Sequence, residues 1–433
     1  MIRKYLDFIQ AWLILAIFLP CAAPASESVH LASHVPDFSR LSLHDAEALW
    51  AARNRELKLA RDAVEGAEAD KIGAAQRPNP AFSAQVGTIS RNPGVGAGGL
   101  RDKMVDTTIG ISQLIERGDK REHRMRGAQS LLDATRQDLS DTLRSQRMAL
   151  RQAYYDLLLA QEKSRILEEN AALYRKSVEA SQLRQRAGDI PLSELSRIRV
   201  EALRAANEAR QAANDLARAQ LSLAYLIGQE AAAGTIRAVD GWIHITDTAS
   251  GNAPDIDRRP DVRAALKRVR AAEAACDLAR SLKTRDITVG LSLEHNPTGT
   301  TWANNSIGVS ASVPLFVNYG YEGEIRRAES NLQVARDQLE QVRAMALADV
   351  ARARSDLEAA AQRSKRYEDE LLVEAERAAR AAEFAYKQGA LGLMDLLDAR
   401  RTHKATQVDA VTAKADYAKA LASWRAATQE NLQ

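Results

Sequence analysis

Residues 119–187 contain no proline and one glycine, Gly127. Leu132 and Leu139, and then Leu143, Leu150 and Leu157, recur every seven residues, which is the spacing of a coiled-coil seam. At 1.5 Å per residue, a helix over this stretch runs roughly 100 Å. A second stretch, 321–387, is equally long and carries Leu332, Leu339, Val350 and Leu357 on comparable seams. Helices of this length cannot fold back into a ball without breaks, and the sequence offers none. They must stand side by side as a tube or rod.

The two stretches belong to a duplication. "QRAGDIPLSELSRIR" (185–199) aligns with "YKQGALGLMDLLDAR" (386–400) at an offset of 201, placing Gly188 on Gly389, Leu195 on Leu396 and Arg199 on Arg400. "TTIGISQLIERGDKREHRMRGAQSLL" (107–132) resembles "NSIGVSASVPLFVNYGYEGEIRRAESNL" (305–332), and "NDLARAQLSL" (214–223) matches "ADYAKALASW" (415–424). The unit spans 42–228 and recurs over 258–429, with 229–257 connecting the copies and 430–433 as a tail. So long a period means a duplicated domain rather than a solenoid.

Each copy reads helix, strand, strand, very long helix, Gly corner, helix. The first helix covers about 42–77 and ends at "QRPNP", where Pro78 and Pro80 stop it. Strands are expected near 81–90 and 106–116, and again over 286–295 and 305–316. Gly188 and Gly389 end the long helices, because glycine adopts the left-handed turn at little cost. Pro191 is tolerated in the first turn of the returning helix. The tips therefore fall at 187–191 and 388–392, each the end of an antiparallel helical hairpin. The fold class is mainly α with a membrane β part.

Four strands of about ten residues are long enough to cross an outer membrane when tilted. Alone they leave open edges, which hydrocarbon does not tolerate. Three protomers would supply twelve strands and close a barrel. A small soluble sheet is the plainer alternative from pattern alone.

The N-terminus fixes the compartment. Arg3 and Lys4 precede a short apolar run, Ala11 to Leu19, and Ala23-Pro24-Ala25 makes an A-x-A site before Ser26. Residues 1–25 read as a signal peptide, followed by an N-terminal segment over 26–41. Cys21 raises lipid attachment, but Pro20 stands where that signal needs a small residue. With Cys21 removed, Cys276 is the one remaining thiol and no internal disulfide is possible. Charged residues make up 27% of the chain for a net charge of only +3, so nothing in the balance calls for nucleic acid. Aromatics at 5% fit Ala-packed helices better than a conventional core.

"RPNPAFSAQVG", "ISQLIERGDKREHRM", "RRPDVRAALKRVRAAEAACDLAR", "SVPLF" and "GALGLMDLLDARR" resemble the TolC superfamily of outer-membrane efflux proteins over essentially the whole mature chain. The first two and the last are most similar to the CzcC-like branch, which serves heavy-metal efflux by resistance-nodulation-division pumps. "QLIERGDKR" departs from that branch's usual "ELGGKR", with Asp119 in place of a glycine. The resemblance implies a homotrimer in outer-membrane lipid, with a twelve-stranded barrel and a twelve-helix periplasmic tunnel. It also implies a periplasmic adaptor and an inner-membrane proton-driven pump as partners. The tips, with Gly188, Asp189, Gly389, Ala390 and Leu391, would form the closed periplasmic mouth that meets the adaptor.

Asp395 and Asp398 lie at i and i+3 on one helix face. The resemblance places such an aspartate pair at the aperture, where three protomers would stack two carboxylate rings that attract cations. A solvated helix face is the bland reading of the same residues. Glu194 aligns with Asp395 and would join the ring. Arg197 aligns with Asp398 and has the opposite sign, which suits pairing with a neighbouring carboxylate. The seven histidines are scattered along the chain with no Cys/His cluster, so no cofactor or tight metal site is expected. No nucleophile–base motif or phosphate loop stands out, and an enzyme is not expected. The function expected is a passive duct for divalent cations of the Co/Zn/Cd/Ni type. The alternatives are the same duct for organic cargo, or a secreted coiled-coil structural protein.

Overall fold

The structure, a computed structural model, describes residues 37–87, 105–245, 255–295 and 305–428. The signal peptide with Cys21, most of the 26–41 segment, the strand end at 88–90, the middle of the connecting segment and the 430–433 tail lie outside them.

The elements run α1 (Leu43–Arg53), α2 (Arg55–Ala74), β1 (Ala81–Gly87), β2 (Asp106–Ile115), α3 (Lys120–Arg186) and α4 (Leu192–Ile227) in the first copy. The second copy runs α5 (Pro260–Ser281), β3 (Ile287–His295), β4 (Asn305–Ser312), α6 (Glu322–Arg366), α7 (Leu372–Lys387) and α8 (Leu393–Thr428). The single helix expected over 42–77 is instead two. Asn54 adopts φ −64°, ψ 127° and caps α2 by accepting from the Leu57 amide at 3.1 Å, while its amide donates to the Leu226 carbonyl at 3.0 Å. That local competition for backbone groups breaks a pattern that periodicity alone reads as continuous.

α3 is unbroken over 67 residues. Its counterpart is not. Between α6 and α7 lies a π-helical turn, Tyr367–Leu371, in which the Leu372 amide donates to the Tyr367 carbonyl. The turn carries three successive acids, Glu368, Asp369 and Glu370. β4 stops at Ser312 rather than 316 because Pro314 has no N–H for the ladder. Pro191 sits one residue earlier than the first helical turn, as the extended N-cap of α4.

The largest core lies midway along α3. Leu150, Tyr154 and Leu157 meet Trp50, Leu57, Leu223 and Ile227, closed by Leu41 and Ile236. The Tyr154 hydroxyl lies 3.0 Å from the Leu41 carbonyl and 2.8 Å from the Asp240 carboxylate. Burial and that carboxylate together push its pKa well above the usual tyrosine range. Gln161 clamps the connecting segment by bonding both backbone groups of Ala238. A second core joins Ala353, Leu357 and Ala361 to Tyr417 and Trp424, so each copy packs its own long hairpin.

Candidate functional site

The four strands form one antiparallel sheet in the order β1-β2-β3-β4. Register sorts the central rows of side chains by face. Phe82, Ile111, Leu291 and Val309 make one cross-strand row, and Ala84, Ile109, Leu293 and Ile307 the next. The alternate rows are Ser83, Gly110, Ser292, Gly308 and Gln85, Thr108, Glu294, Ser306. Among the described residues nothing covers the apolar face: Phe82 is 73% exposed and Val309 79%. In water, rows of such residues would be an aggregation surface, whereas against hydrocarbon they are at home. The other face is mostly polar, and small at its centre. A Cβ on Gly290 would come within 2.5 Å of the Ser310 hydroxyl, and one on Gly308 within 2.6 Å of Ser292. Such a surface lines a wide aqueous lumen. Among the described residues, no helix is long and apolar enough to cross a membrane.

Each strand pair hands over to its long helix through a left-handed turn, Gly118-Asp119 in the first copy and Tyr321 in the second. Asp119, the residue that departs from the branch's glycine, takes φ 55° without a side-chain cap bond. Tyr321 takes φ 64° and is held by edge-to-face packing on Phe316 at 5.1 Å.

At the far end the two corners are copies in atomic detail. Gly188 has φ +83° and Gly389 +73°. The Asp189 amide donates to Arg184 and the Ala390 amide to Ala385, both at 2.9 Å, so both helices end in the same motif. Gly188, Asp189, Gly389 and Ala390 are exposed, and Leu391 is half-buried.

Asp395 and Asp398 stand in the first turns of α8, both exposed, while Leu396 and Leu397 between them turn inward. Glu194 is half-buried in the first turn of α4, and Arg197 is exposed one turn on. A groove of about 320 Å³ between α4 and α8 is lined by both Arg197 and Asp398, with Val200, Met394 and Leu397 as its apolar part. The fold thus brings Arg197 and Asp398 to one groove and leaves Asp395 and Glu194 outside it. Among the described residues, no carboxylate lies within ion-pair distance of Arg197. The ties between hairpins that do form were not singled out from the sequence. Arg401 reaches Glu201 at 3.1 Å, Lys404 reaches Glu208 at 2.8 Å, and Arg184 donates to the Tyr386 hydroxyl at 3.0 Å. Their signal was the basic run Arg400-Arg401 after the corner, uninformative until α4 faces α8. Among the described residues, no three His, Cys, Asp or Glu side chains converge to hold a metal.

Comparison with known proteins agrees with this geometry. A family model described as outer membrane efflux protein matches residues 48–229 and again 256–428, one match per copy. The chain is 28% identical over 361 residues to Protein CyaE of Bordetella pertussis, covering 80% of this chain and 73% of that one. It is 25% identical over 411 residues to the cobalt-zinc-cadmium resistance protein CzcC of Cupriavidus metallidurans, covering 91% and 92%. The fold is that of the Campylobacter jejuni CmeC outer membrane channel, with a TM-score of 0.77 at 18% identity over 89% of this chain and 85% of that one. The two copies, the two-faced sheet and the long hairpins are those of an efflux conduit, not an enzyme, and the chain belongs to the family of outer membrane efflux proteins.

Proposed function

We propose that three copies of this chain form the outer-membrane duct of a tripartite efflux system and that its cargo is divalent heavy-metal cations of the Co/Zn/Cd/Ni type. The duct is passive. A periplasmic adaptor meets the tips around Gly188, Asp189, Gly389, Ala390 and Leu391, and an inner-membrane resistance-nodulation-division pump supplies the energy. Trimer formation rests on β1 and β4, which lack a strand partner on their outer sides among the described residues. An open edge in lipid leaves backbone groups unpaired, and twelve strands close. The observation that carries the cargo is likeness over nearly its whole length to a cobalt-zinc-cadmium resistance protein.

The aperture reading follows from this. Three copies bring six carboxylates, Asp395 and Asp398, to a narrow place, with Glu194 nearby. Repulsion there favours weakly bound, exchangeable cations, as a conduit requires. Arg197, across the groove from Asp398, tempers that ring. In planar bilayers the purified protein should prefer cations and be blocked from the periplasmic side by divalent or trivalent ions. Asp395→Asn with Asp398→Asn should abolish the block and leave assembly intact. Block that survives in the double variant places the constriction elsewhere. Loss of the gene together with its redundant homologues should sensitise cells to Co²⁺, Zn²⁺, Cd²⁺ or Ni²⁺, and drug sensitivity with unchanged metal tolerance would exclude the metal reading.

A further inference from the structure

The pairing of β2 with β3 ends at Ile115 opposite Ile287, but the register carries on into the handover turn. The Arg117 amide donates to the Asp286 carboxylate at 2.9 Å, and a Cβ on Gly118 would meet Thr284 at 2.7 Å. One step past the ladder, Glu116 therefore stands opposite Asp286 on the polar face. Counted on by two residues from the Ile115–Ile287 pair, Arg117 falls opposite Arg285 on the side of the apolar face.

The two like-charged pairs are treated differently. The acids are answered from within the chain. Arg124 grips Glu116 with both terminal nitrogens, and buried Lys120 reaches Asp286 at 2.7 Å. Neither arginine has a carboxylate within ion-pair distance among the described residues. Arg285 instead lies 5.4 Å over the Phe316 ring, and both arginines are exposed. Like charges directly opposite in a ladder are unfavourable unless an anion lies between them.

Their position names the anion. Arg117 closes the column Ile109, Ile111, Gln113, Ile115, and Arg285 closes the column Leu291, Val289, Ile287. Both columns lie on the face fitted to hydrocarbon. Leu315 and Val317, which follow the end of β4, are exposed at 72% and 80%, and Lys283 is exposed two residues before Arg285. The long helices start at this end, so it is the periplasmic edge of the membrane. β2 and β3 are the two central strands, away from the edges that another copy would cover.

We propose that Arg117 and Arg285 bind the phosphate head group of an anionic phospholipid in the periplasmic leaflet. Guanidinium forks suit a phosphodiester, their aliphatic stems suit the membrane edge, and the Ile115–Ile287 pair that ends the ladder next to them meets the acyl chains. The inference needs only the membrane location that the family gives, not the cargo.

Native mass spectrometry of the detergent-extracted protein, titrated with phosphatidylglycerol and separately with phosphatidylcholine, tests it. The wild type should retain phosphatidylglycerol preferentially. Arg117→Gln with Arg285→Gln should weaken that retention about tenfold and leave phosphatidylcholine retention unchanged. Each single substitution should weaken it by about threefold, which keeps the test decisive if the double variant does not assemble. Equal retention by wild type and variants would overturn the site. Displacement of the lipid by inorganic phosphate at the same concentration would overturn its assignment to a lipid. The assembled mass, read in the same spectra, separates either failure from a failure of the trimer.

Discussion

A methyl group added at Gly118 and one added at Gly188 meet very different surroundings, although both backbones are left-handed. At Gly188, φ is +83° and a Cβ would find open space, so Gly188→Ala pays only the backbone strain, about 1 kcal/mol. At Gly118, φ is +74° and the same atom would overlap Thr284 at 2.7 Å, so Gly118→Ala should destabilise by at least about twice that. Thermal denaturation of the two variants in detergent checks the order, and equal transition temperatures would mean that the handover turn is not packed as described. Single residues also show where sequence reading reaches its end. The glycine corners were legible because only one residue type is cheap in that conformation. Asn54 was not, since an asparagine inside a periodic run signals a cap only once Leu226 supplies the carbonyl for its amide. The arginine pair was invisible for the same reason: parity assigns each arginine to a face, but only register sets Arg117 against Arg285.

Among the elements, the two long hairpins differ more than the duplication suggests. α3 runs through its whole length with Ala171, Tyr174 and Ser181 still buried near the tip. α7, the matching tip segment of the second copy, has no buried residue and hangs from the π-helical turn. Low burial and an interrupted hydrogen-bond ladder make for low local stability. Hydrogen exchange should therefore be faster at amides 367–387 than at 166–186. Equal protection in both segments would mean that the second hairpin is as firmly held as the first. The sequence made both hairpins legible, because the absence of proline is a strong signal over some seventy residues. The π-turn left no mark there, since it contains no Pro or Gly, and the Lys414–Glu368 contact at 3.4 Å across from α8 appears only once the helices pack.

At the scale of the whole molecule, the sheet is the part that one chain does not complete. Its apolar rows are fitted to lipid, its Gly and Ser rows to an open lumen, and neither arrangement works with two bare edges in hydrocarbon. The polar face carries Gly and Ser at its centre, and the proposed narrowing lies at the opposite end, where α4 and α8 bring Arg197 and Asp398 to one groove. The mass of the protein extracted in mild detergent tests this account most directly. Three chains in one particle, separating on heating, is the expected result. A single chain that remains folded with its four strands intact would contradict the closed barrel and, with it, the duct.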